Sequence, residues 1–154
     1  MDRLSKEHRS WNMSRIRGKD TSPEKTVRSL LHRLGYRFRL HCKDLPGQPD
    51  IVLPRFQAVI FVHGCYWHRH RGCRYAYTPK TRIEFWQRKF DENVERDELT
   101  LKSLRKIDWR VFVVWECQIS NEKTLAKRLI RFLVKSEHQA DISLRNRENS
   151  SGNI

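Results

Sequence analysis

Cys65, His70, Cys73 and, much further along, Cys117 offer the nitrogen and sulfur ligands that a closed structural zinc site requires. The first three lie close together, and Cys117 directly follows a β-branched and aromatic run, so two thiolate-bearing segments can converge at one sheet edge. His68 competes with His70 for the nitrogen position, and spacing does not choose between them. Residues 64–80 hold two glycines, a proline and no periodicity, so a bound ion would order a stretch that packing alone does not. The plainer role for Cys65 and Cys117 is that of small buried hydrophobes, and Cys42 reads as an ordinary loop thiol.

A second group carries acid–base chemistry. Pro49-Asp50 opens a short apolar stretch, and some ten residues later a second run ends in His63. This is the layout of metal-dependent nucleases of the restriction-endonuclease type, in which the aspartate and a group on the next strand hold Mg²⁺. Phosphodiester scission at neutral pH needs a cation on the anionic oxygens and a means of activating water. The usual acidic-x-lysine companion is missing, since Phe61-Val62-His63 stands in its place; histidine, neutral or cationic near pH 7, can replace lysine as proton carrier. Asp97 falls on an otherwise apolar helical face, where a carboxylate must find a donor or become protonated. The imidazole of His68 is a natural donor, with a salt bridge to Arg96 or Arg105 as the alternative. Tyr66, Trp67, Tyr75 and Tyr77 are interleaved with Arg69, Arg71, Arg74 and Lys80, and Phe85-Trp86 follows. Rings can replace lost base stacking while guanidinium groups hold phosphates, which suits opened DNA.

Short elements must position these groups. Ser22 can cap a helix with Pro23 in its first turn and Val27, Leu30, Leu31 and Leu34 on one face until Gly35. Tyr36, Phe38 and Leu40 alternate with arginines as in a half-exposed strand. Asp50 to Leu53 is a short strand closed by Pro54, and Gln57 through His63 reads as a buried one. From about Thr81 the pattern is helical, with Phe90, Val94, Leu101 and Leu104 on one face. A third buried strand, Arg110 to Trp115, precedes a last amphipathic helix through Leu125, Leu129, Phe132 and Leu133. The expected fold is α/β, a small mixed sheet covered by helices on both faces. Residues 1–21 read as an arm, 22–135 as the catalytic domain, and 136–154 as a disordered polar tail.

Composition narrows the partner. A net charge of +14 on 154 residues would suit a basic disordered tail, but 38% hydrophobic residues argue for a folded domain whose natural partner is a polyanion. The N-terminal residues lack an apolar core of the signal-peptide kind, and the longest apolar runs are too short to span a bilayer, which argues against secretion and membrane insertion. Thiols in such a chain are expected to be reduced and available to a metal.

Six stretches then carry a resemblance: Arg9-Ser10-Trp11-Asn12-Met13-Ser14, Leu45-Pro46-Gly47-Gln48-Pro49-Asp50-Ile51-Val52, the run from Val59 to His68, Glu84-Phe85-Trp86, Asn93-Val94-Glu95-Arg96-Asp97, and Trp109-Arg110-Val111 through Trp115-Glu116-Cys117. In order and spacing, over about residues 5–135, they resemble the very short patch repair DNA mismatch endonucleases; the string from His63 to His68 is highly specific. The resemblance implies a restriction-endonuclease-like fold, a Mg²⁺-dependent nick 5′ of the thymine in a T:G mismatch, and a structural Zn²⁺. It implies Asp50 as metal ligand with the main-chain carbonyl of Val62, His63 near the scissile phosphate, and His68 with Asp97 as acid–base pair. Zn²⁺ would take Cys65, His70, Cys73 and Cys117. Tyr66, Trp67 and Trp86 would enter the base stack from the major groove, Met13 would press from the minor groove, and Glu24 matches an acidic residue near the family's active site. It further implies a bacterial, cytoplasmic monomer acting on double-stranded DNA beside a cytosine-5 DNA methyltransferase and other mismatch repair proteins. Three positions depart from the pattern: Gln48 stands where Arg or Lys is usual, Tyr66 where Phe is usual, and Trp11 where a basic residue is familiar.

Overall fold

Helix α1 spans Ser22–Arg33 and begins one residue away from the expected cap. Thr21, extended at φ −68° and ψ 161°, supplies the capping hydroxyl, which accepts the Glu24 N–H at 3.4 Å. Ser22 is instead the first helical residue, because Thr21 offers an equivalent oxygen one position earlier and Pro23 tolerates the first turn. The helix stops at Gly35, whose φ of +88° lets the Tyr36 N–H turn back to the Leu31 carbonyl. The computed structural model describes residues 20–134; the arm with Met13 and Trp11, and the tail, lie outside the described residues.

Four strands follow: β1 (Arg39–Leu40), β2 (Ile51–Leu53), β3 (Ala58–His63) and β4 (Arg110–Trp115). They form one sheet in the order β1-β2-β3-β4, antiparallel for the first two pairs and parallel for β3 with β4. A parallel pair needs a crossover, here supplied by α2 (Ile83–Lys106). The strand expected over residues 36–40 shortens to Arg39–Leu40. Its register sets Phe38 against Leu53, the last residue of β2, and would set Arg37 and Tyr36 against Pro54 and Arg55, where the chain has entered a 3₁₀ turn, so there is no ladder for Tyr36 to join. Tyr36 and Phe38 pack against the core instead.

The alternating faces of β2 and β3 feed two cores. On one face Ile51, Leu53, Ala58 and Ile60 meet Val27, Leu30 and Leu31 of α1 and Leu125, Leu129 and Leu133 of a last helix, α3 (residues 122–134). On the other, Val52, Val59 and Phe61 pack with Leu104 of α2. Burying each such side chain contributes roughly 1.5–3 kcal/mol, enough to hold strands only three to six residues long against helices on both sides. Among the described residues no helix is long and apolar enough to cross a membrane. Asp50 thus stands where β2 begins, and His63 and Trp115 are the last register pair of β3 and β4.

Candidate active site

Asp50 Oδ2 accepts the Val62 N–H at 2.7 Å, which ties the first carboxylate to the neighbouring strand. Burial pushes the Asp50 carboxyl up to about 6; the Glu24 carboxylate nearby pushes the same way, while the Val62 N–H and the histidines His41 and His68 oppose. Glu24 comes from α1 and is 3% exposed, so its charge needs a partner. It has several: Oε2 accepts from the Asp20 N–H at 2.9 Å and from Arg28 Nη2 at 3.1 Å. The same Nη2 lies 2.7 Å from Asp20 Oδ1 and 2.9 Å from His41 Nε2. Asp20, Glu24 and His41 have the donor types of a metal site, yet the Arg28 guanidinium sits within hydrogen-bonding distance of all three. The cation of that cluster is Arg28 itself. It also holds the Asp20 carboxyl below the usual range, with His41 helping.

His68 and Asp97 meet as expected: Nδ1 is 2.7 Å from Asp97 Oδ2, and neither Arg96 nor Arg105 takes that carboxylate. Asp97 is a quarter exposed rather than fully buried. His63 stacks face to face on His68, centroids 3.9 Å apart and planes 7° from parallel. Burial first, then the neighbouring His68, pushes the His63 imidazole down to about 4, so it is neutral at pH 7. His63, His68 and Asp97 have metal-ligating atoms within 4.8 Å of one another. Two nearly parallel rings cannot both direct in-plane lone pairs at one ion, so this group fits proton transfer better than metal binding.

The ligand atoms of Cys65, His70, Cys73 and Cys117 also lie within 4.8 Å of one another. His70 Nδ1 is 3.6 Å from Cys65 Sγ and 3.3 Å from Cys117 Sγ; the N···S edge of a tetrahedral zinc site is about 3.6 Å from its bond lengths. The donor set is therefore compatible with zinc. Burial pushes the Cys65 thiol up to about 12, while the Tyr75 backbone N–H holds the Cys73 thiol below its usual value, so it is the Cys65 thiolate that needs a cation to exist. The two histidines left open by spacing part company because α2 presents Asp97 to His68, leaving His70 to the sulfurs.

A cleft of about 1180 Å³ collects Glu24, Asp50, Val62, His63, His68 and Asp97, together with Trp67, Gln48 and Lys43. One wall depends on Gly47, at φ +73°, where an added Cβ would collide with the Thr100 methyl of α2. Tyr66 packs edge-on against Phe90 and Trp67, at 5.3 and 5.0 Å, and Arg69 lies over the Phe90 ring. Trp67 is half-buried, 6.1 Å from Trp86, with its carbonyl held by Asn93 Nδ2 at 3.1 Å. Sequence reasoning missed Asp20, Arg28 and His41; the only signal available was Arg28 four residues after Glu24, which also describes an ordinary solvated helix pair.

A family model described as DNA mismatch endonuclease Vsr matches residues 1–74. The chain is 52% identical over 132 residues to the type II nicking enzyme V.XorIIP of Xanthomonas oryzae pv. oryzae, covering 86% of this chain and 96% of that one. It is 44% identical over 117 residues to the DNA mismatch endonuclease Vsr of Escherichia coli K12, covering 76% and 74%. The chain belongs to the Vsr family of DNA endonucleases. Its fold is similar to that of the homing endonuclease I-Bth0305I catalytic domain, with a TM-score of 0.55 at 18% identity over 76% of this chain and 98% of that one. At such identity the likeness speaks for the fold alone, and it agrees with the restriction-endonuclease-like mixed sheet expected for this Vsr-family chain.

Proposed function

We propose that this protein is a Mg²⁺-dependent, strand-specific endonuclease that nicks duplex DNA 5′ of the thymine in a T:G mismatch. The observation that carries the reading is the His68–Asp97 pair opening on the same cleft as Asp50. The relative from Escherichia coli is named a mismatch endonuclease and the Xanthomonas relative a nicking enzyme, which favours single-strand scission. Asp50 and the main-chain carbonyl of Val62 would hold Mg²⁺. The fit rests on the hard oxygen donors and on an Asp50 carboxylate that burial and Glu24 make costly to ionise without a cation. When bound, Mg²⁺ supplies charge neutralisation on the phosphate oxygens and acidified water.

The chain's own groups do the rest. With Nδ1 held by Asp97, His68 has Nε2 left to give or take a proton. Neutral His63 offers a hydrogen bond near the scissile phosphate without adding a positive charge of its own. Glu24, clamped by Arg28, keeps negative charge facing Asp50. Trp67 and Trp86, with Tyr66 behind them, would enter the base stack, and Met13 would act from the arm. Cys65, His70, Cys73 and Cys117 would hold a structural Zn²⁺. T:G pairs arise when 5-methylcytosine deaminates, so the enzyme would act in the bacterial cytoplasm beside a cytosine-5 DNA methyltransferase and other mismatch repair proteins.

A second reading, a nickase addressed to a sequence rather than a mismatch, draws on the relatives named type II nicking enzymes. Incubation with Mg²⁺ and otherwise identical T:G and C:G duplexes separates them. The proposal expects a nick confined to the thymine strand of the T:G duplex; equal nicking of both duplexes would favour the second reading, and no nicking of either, over a set of flanking sequences, overturns both.

A further inference from the structure

Between the Cys/His cluster and the catalytic histidines stands one ring that neither group accounts for. Trp115 ends β4, paired in register with His63 at the end of β3. Its indole stacks on His70, centroids 4.2 Å apart and planes 9° from parallel. It meets His63 edge-on at 5.3 Å and 77°. His63 in turn stacks on His68, which Asp97 holds. Among the described residues no hydrogen bond holds the His63 ring, so its plane is set by the rings around it: Trp115, His68 and, more distantly at 5.7 Å, Phe61. The Trp115 N–H is bonded to Gln118 Oε1 at 3.1 Å, so the backbone that carries the indole is itself held.

We propose that Trp115 is a positioning residue: it transmits the order of the metal-holding cluster to His63, and through the stack to His68. A ligand histidine whose ring face is packed against a bulky neighbour is oriented together with that neighbour, as outer-shell groups orient inner ones. The indole is wide enough to lie flat on His70 while presenting an edge to His63. An aliphatic side chain has neither face nor edge to offer, and a phenyl ring keeps part of both. The inference rests on the reading of His63, His68 and Asp97 as the reacting groups.

The test compares Trp115→Leu, Trp115→Phe and His68→Ala with wild type in the full chain, purified with zinc. Three quantities are measured: bound metal, affinity for a T:G duplex, and the single-turnover nicking rate. Trp115→Leu should keep its metal and its DNA affinity yet lose about 10- to 100-fold in rate, and Trp115→Phe should recover most of it. A Trp115→Leu protein that nicks at the wild-type rate, or whose rate falls only in proportion to metal lost, overturns the inference. His68→Ala nicking normally removes the underlying reading instead. A second readout covers a Leu variant that fails to fold. In protein labelled with 5-fluorotryptophan, the ¹⁹F signal absent from Trp115→Phe should move both on Cd²⁺ exchange for Zn²⁺ and on His63→Ala; a signal indifferent to either change overturns the inference.

Discussion

At Asp50 and His63 burial acts on opposite kinds of group, and the two answer pH in opposite senses. The Asp50 carboxyl rises from 3.8 to about 6, so between these values the folded protein binds more protons than the unfolded chain, and its contribution to stability falls as pH rises. The His63 imidazole falls from 6.5 to about 4, so its contribution is fully present above 6.5 and is lost as pH drops toward 4. The contributions oppose one another over nearly the same window. Asp50→Asn should leave only that of His63, so urea midpoints of the variant should climb more steeply than wild type between pH 4 and 6.5; parallel profiles would contradict the burial assigned to these groups. The same substitution should abolish nicking while duplex affinity stays within a few-fold, and in wild type the Mg²⁺ needed for half-maximal nicking should rise as pH falls below about 6, because a proton then competes for the carboxylate. At this scale the meeting of His68 with Asp97 was legible because a carboxylate on an apolar helix face has a chemical reason to seek a donor. Arg28 and His41 were not, because one guanidinium nitrogen serving Asp20, Glu24 and His41 depends on the start of α1 and the loop after β1, which meet only in the fold.

Among the elements, periodicity located the helices and the central strands, and Arg110–Trp115 has the limits read from the sequence but not the expected burial, since only Val114 is buried there. It failed at β1, where the alternation of Tyr36, Phe38 and Leu40 was real but the length of the strand was set by its neighbour. The loop before β2 depends on one close approach: Gly47→Ala should cost about 1–3 kcal/mol, from its left-handed backbone and from the collision with Thr100. Thermal unfolding of Gly47→Ala with and without Thr100→Ala separates the two, since the second change relieves only the collision; an unaltered midpoint in the single variant would show that the loop is free to move away from α2. Cys117 follows β4, far in sequence from the other three candidate ligands. Cys117→Ser should lower bound metal and unfolding temperature together, and elemental analysis finding no zinc in protein purified without chelators would remove the site.

For the whole molecule, the proposed function asks how a chain with a charge of +14 would prefer one base pair among many phosphates. Cationic side chains give affinity that salt weakens and that no base sequence modulates. Preference must come from elsewhere, and inserting rings costs less stacking where pairing is already weakened. Trp67, lining the cleft beside His68, is placed for that role. Trp67→Ala should therefore lose much of its preference for T:G over C:G at fixed salt while keeping its salt-sensitive affinity; an unchanged ratio of nicking rates would assign recognition to groove contacts.

The parallel pairing of β3 with β4 also bears on which chain lengths evolution can sample here. The strands keep step from Ala58 and Arg110 to His63 and Trp115, and two residues beyond each end stands a cysteine of the same cluster, Cys65 or Cys117. One residue inserted at either exit would move that cysteine by up to about 3.3–3.6 Å relative to its strand end, far more than a ligand distance tolerates. A single indel between 63 and 65, or between 115 and 117, would thus break two functions at once, whereas one near 78–80, beyond the last cysteine of that loop and before α2, would break neither. In a scan of single-residue insertions through this gene, tolerance should vanish at both strand exits and return at the approach to the long helix.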